Sequence, residues 1–208
     1  MIFINQYCHL QNRSFARQGN RVFTFDSGTL DDFIEEAFRW LSLSYPKFYK
    51  MDHLSKMGFL ASEMLLKDMP LLPRYLPDQV ALVLSNAASS LDTDLHFAES
   101  MKTIPSPALF VYTLPNIVAG EICIRQGITG ENAFFVFPEF DAVQMADYVS
   151  LVMESEKTLA CIGGWIEVMG DHHDVFLYLA EKERGDTGVE HTAEQLHKIY
   201  KSSALWKN

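Results

Sequence analysis

An α/β fold, a layered sheet with helices, is what this sequence of 208 residues predicts. Three observations carry that prediction. Val80-Ala81-Leu82-Val83-Leu84 is an apolar run of strand length between turn signals, the pattern of a strand covered on both faces. Leu159-Ala160-Cys161-Ile162 repeats the pattern. Segments with helical apolar spacing alternate with such runs along the chain, as they do in layered α/β proteins.

The elements follow in order. Met1–Asn5 and Arg21–Phe25 read as short strands rich in Ile, Phe and Val. Asp26-Ser27-Gly28-Thr29 is a turn. Asp31 and Asp32 then open a helix to about Leu43, where acidic residues favour the positive end of the helix dipole. Tyr45-Pro46 ends it. Leu54, Met57, Gly58, Ala61, Met64 and Leu65 give a second helix over about 52–67. Ser89 to Asp94 leads into a helix carrying Leu95, Phe97, Ala98 and Met101. Ala108–Tyr112 reads as a strand or extended segment. Pro115 starts a helix to about Arg125, which Gly127 stops. Ala133–Phe137 is the next strand. The helix over 140–154 has apolar residues around nearly its whole circumference, which predicts burial on all sides. Gly163-Gly164 closes the strand at 159–162, and Val175–Leu179 is a last strand after a turn at Gly170-Asp171. Ala193–Ser203 is an amphipathic helix. No domain boundary stands out, so residues 1–208 read as one domain.

Composition narrows function. A net charge of −10 opposes nucleic-acid binding, which needs a basic face to neutralise phosphates. It also weighs against a simple docking surface for an acidic carrier protein or an anionic membrane. Arg39, Lys47, Lys50 and Lys56 are close enough in sequence to form a basic patch, although a solvated surface is the plainer reading. The longest apolar runs are far too short to span a bilayer. The first residues have no basic start, long apolar stretch or cleavage site of a secretory signal. Cys8, Cys123 and Cys161 are few and unpaired in spacing, which suggests a reducing compartment, so a cytoplasmic location is expected.

Four segments, in order, carry a family resemblance. They are Met51 to Ala61; Val80 to Ser85; Ser106-Pro107 through Asn116-Ile117-Val118-Ala119-Gly120 to Gly127 and Gly130; and Ala160-Cys161-Ile162-Gly163-Gly164-Trp165-Ile166-Glu167. Their joint order and spacing resemble the N-terminal half of a β-ketoacyl synthase (3-oxoacyl-ACP synthase) of the thiolase-like superfamily. The resemblance is clearest over 51–167. It implies a thiolase-like half, with Asn116, Ala119, Gly120, Gly163 and Gly164 as structural motif residues. It further implies that the family's nucleophilic cysteine position, counted forward from Gly130, falls at Glu139. A thiol at a helix start gains thiolate character from the dipole. Glu139 keeps an anion there but is a poor acyl acceptor, and Phe140 beside it would crowd an acyl chain. The family takes its two histidines from a second half, which a chain ending at Asn208 is not expected to form. The resemblance therefore implies a catalytically degenerate subunit of fatty-acid or polyketide-type assembly, akin to a chain-length factor, with no cofactor.

It also implies partners. The family's corresponding strand pairs across a two-fold axis. The uncharged run Phe134, Phe135, Val136, Phe137 is thus expected at a dimer interface, with a second copy or with a full-length ketosynthase, and an acyl carrier protein is a further possible partner. Rival readings are a small acyl-thioester decarboxylase or hydrolase using Glu139, and a repurposed binding module. Glu139 itself reads most plainly as first-turn helix electrostatics.

Other candidates read as structural. His172-His173, flanked by Asp171 and Asp174, would point to opposite faces of a strand and have no spaced partner ligand, so a solvated hairpin turn is favoured over a metal site. His191 and His197, six apart, do not share a helix face. Cys123 and Cys161 read as small core residues. Nothing in the sequence orients Cys8 and His9 as a catalytic pair.

Overall fold

A computed structural model describes residues 1–204. Three antiparallel strands open the chain: β1 (Phe3–Gln11), β2 (Ser14–Arg17) and β3 (Asn20–Thr24). Then come α1 (Leu30–Trp40), a 3-10 turn (Pro46–Lys50) and α2 (His53–Leu66). Next are β4 (Val80–Asn86), α3 (Leu91–Ser100), α4 (Pro107–Phe110) and α5 (Ile117–Gln126). They are followed by β5 (Asn132–Val136), α6 (Ala142–Met153), β6 (Ala160–Met169) and β7 (His172–Glu181). Finally, β8 (Val189–Glu190) precedes α7 (Ala193–Ala204).

The caps explain several boundaries. Thr29 and Asp32 form a reciprocal capping box at α1. Asp52 accepts from Ser55 N at 2.9 Å at the start of α2, and its second oxygen accepts from Thr93 Oγ1 at 2.6 Å. Gly127 adopts φ +68° and sends its N–H to Cys123 O, the left-handed stop of α5.

The strands form one mixed sheet in the order β3-β2-β1-β7-β6-β4-β5, with β8 beside β1. β4 runs parallel to both β5 and β6, while β6/β7 and β7/β1 are antiparallel. Strand alternation divides the core into two layers. Leu82 and Leu84 of β4, Ile162 and Ile166 of β6, and Leu177 and Leu179 of β7 point toward α1, α2 and α5. Val83, Cys161, Trp165, Phe176 and Tyr178 point toward α6 and α7. The result is the layered α/β arrangement that the sequence predicts.

Several expectations need correction. The first strand runs on to Gln11, and β2, with only four residues to show a period, was not foreseen. Ala108–Tyr112 is not extended. Pro107 starts the single helical turn α4, and Ser106 caps it by accepting from Leu109 N. The helix α6 is not buried all round: Val143 and Leu151 are 57% and 59% exposed, because this chain covers only one side of it. Gly163-Gly164 does not close a strand; β6 continues through both to Met169. A Cβ at Gly163 would lie 2.4 Å from the Tyr178 ring, and one at Gly164 2.3 Å from Phe176 O, so glycine here permits β7 to pack closely. His173 is buried rather than solvated. It stacks on Phe33, and its Nε2 accepts from Arg13 N at 3.0 Å.

Candidate functional site after β5

The parallel strands β4 and β5 end together at Asn86 and Val136, while β6 runs on to Met169 beside the loop after β4. Phe137 N donates to Asn86 O at 2.9 Å. The Asn86 side chain closes the following turn by accepting from Ser89 N and donating to Ser89 O. Glu167, last in the Gly-Gly-x-x-Glu run, accepts from Ala87 N at 2.7 Å and Ala88 N at 3.2 Å. The motif thus has two parts: glycines that admit β7, and a buried carboxylate that fixes the loop after β4.

Glu139 stands in the exposed turn between β5 and α6. Among the described residues it makes no hydrogen bond or ion pair. The helix terminus is taken by Asp141, which accepts from Val143 N at 2.9 Å and Gln144 N at 3.0 Å. The first-turn electrostatics expected of Glu139 therefore belong to Asp141, two residues on. Phe140 turns inward and fills the space behind the turn. Its ring centroid lies 4.2 Å from that of Tyr200, 5.6 Å from Phe176 and 6.3 Å from Trp165. Burial, with the nearby charges of Asp174 and Glu139, pushes the Tyr200 hydroxyl well above the usual phenol range. Outside the turn is a cleft of about 760 Å³ lined by Glu139, Gln144, Glu194 and His197.

The strand before this turn lies at the sheet edge, as expected. Among the described residues β5 pairs only with β4, and Val136 is 56% exposed. Phe134 packs toward α1, α2 and α5, while Phe135 stacks on Tyr148 at 4.1 Å. The helix α5 packs beside β4 and β5. On α5, Asn116, Gly120 and Ile124 fall at i, i+4 and i+8 and are all exposed. The expected structural roles are only partly present. Ala119 is buried, but the Asn116 side chain makes no cap hydrogen bond, and a Cβ at Gly120 would meet nothing within 4 Å.

The remaining candidates separate. Cys8 and His9 point to opposite faces of β1: the Cys8 thiol donates to Ala61 O, whereas His9 faces Asp174 and Ser203. Burial raises all three thiols, that of Cys8 to about 12 and that of Cys123 to about 11. Burial lowers His191 to about 4, so it is neutral at pH 7. In the basic patch, Arg39 pairs with Glu36 and Lys47 with Glu121. Among the described residues no cluster of three or more His, Cys, Asp or Glu could hold a metal ion, and no helix is long and apolar enough to cross a membrane.

Solved ketosynthase and chain-length-factor structures share the fold of this chain. The ishigamide ketosynthase/chain length factor matches with TM-score 0.65 at 17% identity, over 87% of this chain and 62% of that chain. A type II PKS acyl-carrier protein in complex with its ketosynthase bound to the hexaketide (AntDE:AntF) gives 0.61 at 13% identity, with the same coverage. The complex of ketosynthase (ApeO) with its chain length factor (ApeC) from Xenorhabdus doucetiae gives 0.58 at 12%, over 98% of this chain and 92% of that chain. The chain thus spans 62% of the first two and is of nearly the same length as the third. No protein-family profile matches the sequence, and no curated protein does.

Proposed function

We propose that this chain is a non-condensing, chain-length-factor-like subunit that pairs with a full-length ketosynthase through β5 and the outer face of α5. One observation carries the reading: the uncharged edge of β5 lies beside motif residues, Asn116 and Gly120, that do no work inside the chain. An open apolar strand edge invites pairing with another chain. A glycine on an exposed helix face lets a second backbone approach closely. Leu95, Met101, Ile104, Phe110 and Leu114, all more than half exposed, add apolar surface over α3 and α4 that a partner would cover. A chain of matching length within a ketosynthase and chain-length-factor complex supports the same reading. Glu139 has no thiol, and Phe140 fills the space behind it. The net charge of −10 weighs against a simple docking surface for an acidic carrier on this chain. The test is light scattering of the protein mixed with a full-length ketosynthase, with intact mass and peptide mapping after exposure to acyl-carrier thioesters. A stable one-to-one complex and no acyl adduct on Glu139 are expected. A chain that stays monomeric in the mixture, or a stable acyl adduct mapped to Glu139, contradicts the proposal.

A second reading rests on the 760 Å³ cleft, where Glu139 and His197 share one wall system. It makes the chain a small acyl-thioester decarboxylase or hydrolase, and requires turnover by the isolated protein that Glu139→Gln abolishes.

A further inference from the structure

Three side chains from distant parts of the chain meet on the side of the sheet that α7 covers. His9 Nε2 on β1 lies 2.5 Å from Asp174 Oδ1 on β7, and His9 Nδ1 lies 2.7 Å from Ser203 Oγ on α7. Tyr200, one helical turn before Ser203, donates its hydroxyl to the other Asp174 oxygen at 2.5 Å and stacks on the His9 ring. Burial pushes the Asp174 carboxyl up, but the hydrogen bonds it accepts from His9 and the Tyr200 hydroxyl outweigh it and hold the group below its usual value. Ser203 Oγ also lies 2.9 Å from Tyr200 O, to which it donates. With Asp174 holding Nε2–H, the lone pair of Nδ1 faces Ser203 and takes that proton once the hydroxyl turns from the carbonyl.

This array meets a cavity. His9 and Ser203 both line a space of about 420 Å³ between the β1–β2 and β6–β7 turns. Arg13 lines it too; its guanidinium faces Asp171, and among the described residues its buried Nε has no acceptor. A buried donor left free calls for an explanation. The turn holds Arg13 at φ +53°, a conformation uncommon for a side chain of this size.

We propose that Ser203, His9 and Asp174 form an acyl-transfer site that hydrolyses short-chain esters and thioesters, an activity independent of the subunit role above. Ser203 Oγ adds to the acyl carbonyl carbon as its proton passes to His9 Nδ1. The Arg13 Nε–H, without an acceptor among the described residues, is the donor offered to the oxyanion. The C–O or C–S bond then breaks, and His9 returns the proton to the leaving alkoxide or thiolate. Water attacks the acyl-Ser203 ester, with its proton passing through His9, and releases the carboxylic acid and free Ser203. The cavity's size and its largely polar wall, with Gln11, Asn12, Arg21 and Thr24, restrict the acyl group to a short one.

The test treats the full chain with a fluorophosphonate probe and, separately, with p-nitrophenyl acetate. Peptide mapping should find one phosphonyl adduct on Ser203, absent from Ser203→Ala. Hydrolysis should fall about 100-fold or more in that variant. Alanine suits a helical position, so circular dichroism should show the variant folded. A serine that only anchors α7 would take up no probe. The absence of a Ser203 adduct, or hydrolysis unchanged in Ser203→Ala, overturns the proposal.

Discussion

The middle of the sheet and its β5 edge handle the same kinds of residue in opposite ways. At the centre, Gly163 and Gly164 are pressed against Tyr178 and Phe176 O, and Glu167 holds two backbone amides. At the edge, Gly120 faces open space and Asn116 caps nothing with its side chain. The opposite edge sharpens the contrast. β3 ends the sheet with a mostly exposed strand bearing Asn20 and Arg21, and a bulge separates its register with β2, both of which discourage pairing. β5 has neither device. A motif residue with internal work explains itself within the chain, whereas one without such work points to something outside it.

Substitutions should separate the two regions, beginning with the largest effect. Phe140→Ala empties the aromatic cluster behind the β5 turn and should cost about 3–4 kcal/mol, read from denaturant unfolding. His191 gives a pH test of the centre. Unfolded, it titrates near its ordinary 6.5; in the fold burial lowers it to about 4. Between those values the unfolded chain binds a proton that the folded chain does not, so stability falls as pH falls. The loss should reach on the order of 3 kcal/mol by pH 4, and His191→Gln should reduce that slope. Gly164→Ala drives a methyl into the Phe176 carbonyl and should cost about 2 kcal/mol. Gly120→Ala should instead raise the stability of the isolated chain by about 0.5–1 kcal/mol, since alanine is the better helix former. The same variant should weaken association with a ketosynthase. An alanine at Gly120 that destabilises the isolated chain would erase the contrast between centre and edge.

Much of the fold could be read from the sequence where a single period was clean. The all-apolar run at 80–84 marks β4, and Gly127 marks the end of α5. The run before Glu139 was legible as a strand, and its place at an interface was only what the family resemblance implied. Reading failed where one residue type has two uses. Gly163-Gly164 look like strand terminators, because glycine usually interrupts regular structure, yet here they admit β7. The all-round apolar content of α6 implied burial, but periodicity does not say whether the chain itself supplies both covers. Glu139 and Asp141 are both acidic at a helix start, and only backbone geometry shows which of them caps it. The array of His9, Asp174 and Ser203 had no local signal at all. Its members come from β1, β7 and α7, and a spacing rule cannot join them.

Amide hydrogen exchange across Asn132–Val136, with the protein alone and mixed with a full-length ketosynthase, tests strand pairing at the β5 edge most directly. Alone, β5 is bonded only on its β4 side among the described residues, and its outward amides should exchange quickly. In the mixture those amides should become protected together with the exposed face of α5, and Val136→Lys should abolish that protection without unfolding the chain. A complex that forms with β5 exchange unchanged would contradict the account.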